Sequence, residues 1–499
     1  MAHARKDIPP SPSRQDLEPV DWGEFRAQCI NVVDALIQMW RTLDESPVWR
    51  TVPQTIRTAF EAPLPERGYG LEGALHKLRH DVLPFPRGNV HPRFWGWVNG
   101  SGIPAAALAD FVAGAVNSTV TSSESSAMYV ERQVLAWIKE ILGWETCGDG
   151  LLTSGCSMGH IIALAAARRA AYGARVRDLG MGPQDRGRVY VSSEAHLSLE
   201  KAVELLGIGS ANLVRVEVDE DKRIRCDCLR DAIISDREKG MVPICVVGNI
   251  GTVNTGAIDD IDGLLSISRN LGVWLHLDAA FGAFGRLISP VQDKLVNLGK
   301  ADSIALDLHK WFYMPFDVSC ILTRDPEILL STFEVKSGYM SPLPAGPASF
   351  PHSFGDRGVE QTRSMRALKV WFALTAYGVE AFRKSITKNY FEASFLARLI
   401  KRNPGFELLS RGDLNIVCFR LFDGSMSESE INQLNIRALT VLQLSGKALP
   451  SHTWLDGKFA IRVAINNHRT KFYDIEILVR ELVEIRTKIL SEFQASSGA

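Results

Sequence analysis

The sequence predicts an α/β protein whose central sheet is mostly parallel, and three observations carry that prediction. Between about Gly100 and Leu322, the short apolar runs RVYVS, NLVRVEV, ICVVGNIGT, VWLHLDAA, SIALDL and SCILT alternate with helical stretches. Strands that are apolar on both faces need helices covering both sides of a parallel sheet. Polar residues stand directly after these runs: Asp278 after VWLHL, Asp307-Leu308-His309-Lys310 after SIAL, Thr252 after ICVVGNIG and His196 after RVYVSSEA. Ligands of open α/β sheets bind beyond the carboxyl ends of the strands. Finally, LLTSGCSMGHIIALAAARRAA is a Gly-containing turn running into an Ala-rich helix, whose free N–H groups and positive dipole end make an anion site.

Before the sheet, residues 20–99 read as an N-terminal helical segment. Phe25, Cys29, Val32, Val33, Leu36, Ile37 and Trp40 have the three-and-four spacing of an amphipathic helix over 24–43. Residues 100–378 form the large α/β domain. Near its end, residues 337–358 hold four prolines and four glycines, a stretch too irregular for a helix and long for a passive connection, hence a lid or a disordered insert. Residues 379–499 restart as a small α+β domain: strand LNIVCFRL, helix ESEINQLNIRALTVLQ, strand FAIRVAI and a last helix from about Lys471 to Phe493. In that helix Ile475, Leu478, Leu482, Ile485 and Ile489 step by three and four, which gives one buried face.

Length and composition bound the function. At about 150 residues per domain, 499 residues make roughly three domains or one large unit. With 56 Lys+Arg against 57 Asp+Glu the net charge is −1, so no global field attracts nucleic acid or an anionic membrane. The 46% hydrophobic and 23% charged content is that of a globular protein, which excludes disorder as the main state. Eight scattered cysteines, several inside apolar runs, predict a reducing, cytoplasmic setting. Cys226 and Cys228 lack a second pair at zinc-site spacing, so no metal is expected. The start MAHARKDIPPSPSRQ reads as a disordered arm over 1–19 rather than a signal peptide. The longest apolar segment, IPAAALADFVAGAV, is interrupted by Asp110 and falls short of the roughly 20 residues of a membrane span.

Each polar residue after a strand is weak by itself, because an Asp there is most often a turn or helix cap and a Lys usually points to water. Their convergence on one sheet edge is the signal. In the anion loop Ser157 offers a hydroxyl, with Thr153 or Ser154 as the other candidate cap. The loop does not match GxxxxGK[ST], which speaks against a nucleoside triphosphate.

HLDAAFGAF, followed 32 positions after its Asp278 by the Lys310 of DLHKW, resembles the cofactor site of the group II amino-acid decarboxylases that use pyridoxal phosphate. HPRFWGWVNGSG, TSGCSMGH, SEAH, GNIGTVNTGAIDDI, RSMRALKVWFALTAYG and RVAINNHRT agree in order along almost the whole chain, and the similarity is to the aromatic-L-amino-acid decarboxylase type. The resemblance implies a fold-type-I enzyme, aspartate aminotransferase-like, that converts an L-amino acid, aromatic favoured, to its amine and CO2. It implies Lys310 as the Schiff-base lysine and Asp278 as the carboxylate facing the pyridine nitrogen. His196 would be the ring-stacking histidine, with Thr252 and Ala280 lining the ring. Cys156, Ser157, Asp307 and His309 would surround the phosphate and the lysine.

A proton must then reach Cα. The family uses a tyrosine on a mobile loop, and Tyr339, 29 residues after Lys310, is the candidate, with His352 as the second. The resemblance also implies a homodimer with exchanged N-terminal helices. Two departures stand out: Cys156-Ser157-Met158-Gly159 lacks the family's Glu, and Asp307 stands where the aromatic enzymes often have Asn. An added carboxylate near a phosphate is unhelpful unless it is hydrogen-bonded or turned away. Phe94, Trp95 and Trp97 form either an aromatic wall for the substrate or packing. Three alternatives share the fold: an aldehyde-forming oxidative decarboxylase, an aminotransferase, and a decayed binding protein.

Overall fold

Seven strands make the sheet that positions the site: β2 (Asp149–Thr153), β3 (Gly187–Ser192), β4 (Leu213–Val216), β5 (Val242–Asn249), β6 (Trp274–Asp278), β7 (Ser303–Asp307) and β8 (Ser319–Thr323). They follow β1 (Phe94–Trp95) in the chain and precede β9 (Phe406–Ser410), β10 (Ile416–Leu421), β11 (Leu449–Leu455) and β12 (Lys458–Ala464). The structure is a computed structural model that describes residues 17–121, 123–144, 147–336, 338, 343–349 and 353–497.

The large sheet runs β2-β8-β7-β6-β5-β3-β4. Pairings β7·β6, β6·β5, β5·β3 and β3·β4 are parallel, whereas β8 is antiparallel to both β7 and β2. Two successive reversals return β2 to the direction of β7, so the carboxyl ends of β2, β3, β5, β6 and β7 share one edge. Every residue of β7 and β8 is buried, as the continuous apolar runs require of a sheet covered on both faces.

The second sheet, β1-β11-β12-β10-β9, is antiparallel except where Phe94 and Trp95 lie parallel to Leu449 and Pro450. Residues 87–99, read from sequence with the helical segment, group by their contacts with the larger unit. The reason is apolar: Phe94 and Trp95 are buried and complete the C-terminal sheet. The long helix Ala367–Arg402 is broken at Gly378, with φ 66° and ψ 161°, conformations that favour glycine. That break falls where the large and small domains were expected to meet. Both sheets nevertheless lie in one unit of contacts.

Residues 17–47 and 51–86 form a separate helical unit. Its helix Trp22–Arg41 starts at Asp21, whose carboxylate accepts from the N–H groups of Gly23 (2.7 Å) and Glu24 (3.1 Å), an N-cap contributing about 1 kcal/mol. No residue of this helix is buried.

Candidate active site

The shared edge opens on a cavity of about 510 Å³ lined by Ser154, Gly155, Cys156, Ser157, His196, Asp278, Ala280, Asp307, His309 and Lys310. All the sequence-predicted cofactor and catalytic residues that the structure describes therefore meet there, with the exception of Thr252. Its hydroxyl bonds to Thr255 Oγ1 (2.9 Å) and accepts from the Ala257 N–H (3.1 Å), closing its own turn, while its neighbours Gly251 and Val253 line the cavity. Tyr339 and His352 lie outside the described residues.

Asp307, at the end of β7, accepts from Lys310 Nζ (2.8 Å), from the backbone N–H of Cys156 (2.9 Å) and from the Ser319 hydroxyl. Burial opposes its charge, but Lys310, His309 and these hydrogen bonds hold its pKa down at about 2. The carboxylate expected to be unhelpful beside an anion is thus fully engaged, and it caps the helix Cys156–Tyr172. Neither Thr153 nor Ser154 does so: the residue before the helix supplies no side-chain cap, and the Thr153 hydroxyl donates to the Gly155 carbonyl (3.3 Å). Lys310 loses solvation on burial, yet Asp307 keeps it cationic and pushes it up to about 12. The Cys156 thiol is pushed well above its ordinary value by burial and by Asp307, which favours its neutral form.

Asp278 ends β6, next to β7. It accepts from the Ala280 N–H (3.1 Å), and His160 Nε2 lies 3.5 Å from its Oδ1. Burial again opposes ionisation, and His160 and Lys310 overcome it, so the carboxyl sits well below its usual range. His309 Nδ1 accepts from the Val318 N–H (3.2 Å) and its ring packs 4.7 Å from that of Phe316. His196 is lowered by burial, and its Nδ1 lies 2.6 Å from Ser198 Oγ.

Two glycines show how the backbone makes room. A Cβ at Gly100 would lie 2.2 Å from the His309 carbonyl and 2.4 Å from that of Lys310, so HPRFWGWVNGSG closes on the lysine segment only with glycine there. Gly155, the residue before the helix Cys156–Tyr172, lines the cavity, and a Cβ there would meet nothing within 4 Å. The aromatic triplet divides: Phe94 and Trp95 are packing, whereas Trp97, 51% exposed, lines the cavity. Trp97 has φ 53°, uncommon for a bulky residue, and Arg462 Nη1 donates to its carbonyl at 2.9 Å.

His160, Ser198 and Arg462 also line the cavity and are not singled out by the sequence. His160 stands four residues after Cys156 on a helix, a spacing that puts both on one face, and that is the available signal. Arg462 is buried and donates to the carbonyls of Asn254 (3.0 Å), Val253 (2.5 Å) and Trp97. Burial lowers it to about 10.

The family model described as the pyridoxal-dependent decarboxylase conserved domain matches residues 53–422. The chain is 31% identical over 470 residues to an aromatic-L-amino-acid decarboxylase of Bacillus atrophaeus, covering 93% of this chain and 95% of that one. It is 26% identical over 462 residues to a phenylacetaldehyde synthase of Arabidopsis thaliana, covering 90% and 93%. In fold it is similar to the crystal structure of Oryza sativa TDC with PLP and tryptamine, with a TM-score of 0.88 at 23% identity, covering 95% of this chain and 100% of that one.

Proposed function

The chain belongs to the pyridoxal-dependent decarboxylase family, and from that premise we propose that it is a carboxy-lyase releasing CO2 and the amine from an L-amino acid with an aromatic side chain, working through Lys310. Its fold is the fold-type-I architecture expected from sequence. The observation that carries the site assignment is that Asp278, at the end of β6, and Lys310, three residues beyond the end of β7, line one cavity.

The residues fit pyridoxal phosphate. The side-chain-free Gly155 and the Ser157 hydroxyl leave room and donors for a phosphate at a helix N-terminus, Asp278 is an ionised partner for a pyridinium nitrogen, and Lys310 is an amine for the aldehyde. Bound there, the cofactor supplies the carbonyl that captures an amine and the ring that takes up the electron pair left by departing CO2. Asp278, ionised and lining the cavity, would hold a proton on the cofactor's ring nitrogen. Asp307 holds Lys310 at the sheet edge. His196 presents a flat ring from the turn after β3, and Trp97 and Phe316 offer apolar walls. Tyr339 is the proposed proton donor to Cα, supported by its place in the Pro/Gly-rich segment, with His352 second. Walls that exclude water from the reacting carboxylate favour loss of CO2 over side reactions.

An aromatic substrate is supported by the relative from Bacillus atrophaeus. The relative from Arabidopsis thaliana favours a second reading, an aldehyde synthase that consumes oxygen and releases peroxide. A homodimer in the cytoplasm belongs to the proposal. It is supported by exposed Ile30, Val33 and Ile37 on the helix Trp22–Arg41, by exposed Leu108, Phe111 and Val116 on the helix Pro104–Val116, and by the buried free thiols of Cys245, Cys320 and Cys418. No helix of the described residues is long and apolar enough to cross a membrane.

Borohydride reduction of the cofactor-loaded protein followed by peptide mass mapping should label Lys310, and a label elsewhere overturns the assignment. A panel of amino acids assayed for CO2, amine, peroxide and keto acid should give CO2 and amine from an aromatic member. Peroxide with aldehyde transfers the protein to the second reading. Tyr339→Phe should lower amine formation, and an unchanged rate moves the proton-donor role to His352 or another group.

A further inference from the structure

We propose that Ser198 and His160 are positioning residues for this reaction: Ser198 locks His196 in the tautomer that carries its proton on Nε2, and His160 ties that lock to Asp278. The inference rests on the cofactor reading above and concerns how the site is held.

Hydrogen accounting gives the tautomer. The backbone N–H of Ser198 lies 3.2 Å from His196 Nδ1, and a backbone N–H can only donate, so Nδ1 is an acceptor and a neutral ring bears its hydrogen on Nε2. The Ser198 hydroxyl has one hydrogen, and His196 Nδ1, at 2.6 Å, is the acceptor for it. The remaining lone pairs of Ser198 Oγ then face His160 Nδ1 at 2.9 Å, which must donate. On its other side, His160 Nε2 is buried without a hydrogen-bond partner and lies 3.5 Å from Asp278 Oδ1; with Nδ1 already donating to Ser198, a hydrogen on Nε2 toward that carboxylate makes the ring doubly protonated, so His160 meets Asp278 as a cation.

One chain therefore runs from Asp278 through His160 and Ser198 to His196. It joins the end of β6, the second turn of the helix Cys156–Tyr172 and the first residue of the helix Ser198–Leu205. His160 is 1% exposed, and the ring of His276 crosses it edge-on at 5.5 Å and 82°, so its plane is fixed. The charged groups acting on His196 are Asp278, Asp307, Lys310 and His160.

The chemical consequence is directional. His196 offers the cavity an N–H donor on the ring edge away from Ser198, suited to an amino-acid carboxylate. Presenting a lone pair there would cost the bond from the Ser198 backbone N–H and force the Ser198 hydroxyl to turn and accept from Nδ1. Asp278 and His196 are thus set by one network, so a change at His160 should be felt by the cofactor as well as by the substrate.

Full-length Ser198→Ala, Ser198→Thr and His160→Gln, loaded with pyridoxal phosphate, test this. We expect Ser198→Ala to lower kcat about tenfold, a size typical of losing an outer hydrogen-bonding partner. The pH midpoint of the bound-cofactor absorbance should move by about one unit, which corresponds to a tenfold change in a proton equilibrium. Ser198→Thr, which keeps the hydroxyl, should restore both to within about twofold, and His160→Gln should move the absorbance midpoint by a similar amount. If Ser198→Ala and His160→Gln leave that midpoint in place while lowering only the thermal midpoint of cofactor-free protein, the two residues are packing and the proposal falls. A loss in Ser198→Ala that Ser198→Thr does not rescue also overturns it. A wild-type protein that carries no cofactor on Lys310 sinks the underlying reading instead.

Discussion

Asp278 and Asp307 end neighbouring strands of one sheet, are both buried and both stay ionised, yet they are held in different ways. Asp307 is saturated by an ammonium, a backbone N–H and a hydroxyl. Asp278 has the Ala280 N–H and a histidine at 3.5 Å, and it faces the cavity. Two residues of one type at one sheet edge have thus divided the work. Asp307 organises the protein's own groups, and Asp278 keeps a charge in reserve for a ligand.

The largest expected effect breaks or sustains that division directly. Asp278→Asn removes the reserved charge, and kcat should fall on the order of 10²–10³-fold, the cost of losing one preorganised electrostatic partner. Asp307→Asn keeps an acceptor for Cys156 and Ser319, so kcat at saturating cofactor should fall only about tenfold. Equal losses in the two variants would mean that Asp307 also acts on the ligand.

The next effect separates Asp307 by its hold on Lys310. Burial alone lowers a lysine, and here Asp307 reverses the sign. In Asp307→Asn the Lys310 amine should therefore lose its proton at lower pH. The rate at which cofactor-free protein captures pyridoxal phosphate at pH 8 should rise, about tenfold for each unit by which the lysine falls. A slower capture would show that the aspartate assists the attack instead of restraining it. The same carboxylate stabilises the folded chain at any pH above its ordinary value near 4, and that contribution is lost as pH falls through its folded value of about 2. The acid limb of stability between about pH 4 and 2 should accordingly be shallower in the variant.

Much of this site is legible in the amino-acid order. Lys310, Asp278 and His196 each follow an apolar run, and parallel strands carry such positions to one edge, so periodicity alone brings them together. The role of Asp307 is not legible there, because its partners Cys156 and Ser319 are 151 and 12 residues away and meet it only through the double reversal at β8. His160 is hidden by its surroundings: inside an Ala-rich helix it reads as a core residue until Ser198 and Asp278 are seen on either side. In the fold, β1 is the main feature that periodicity misses. Two aromatic residues are too short a run to announce a strand, and their pairing with Leu449 and Pro450 crosses more than 350 residues of chain.

The smallest effect extends the comparison from carboxylates to the imidazole behind them. His276 is fully buried, bonded through Nδ1 to Ser303 Oγ (2.8 Å), and burial lowers it to about 3. Because its folded value lies below the ordinary value near 6.5, the unfolded chain binds the extra proton between those limits. Its contribution is present above about pH 6.5 and drains away as pH falls toward 3, a window that opens above that of Asp307. Between pH 7 and 5 this one group should cost the wild type about 2 kcal/mol. His276→Asn cannot take up that proton, so its urea midpoint should fall less over the same interval, whatever the substitution does to stability at pH 7. If both proteins lose stability in parallel, the proton that matters in mild acid is taken up elsewhere, and the imidazole layer behind Asp278 serves as packing alone.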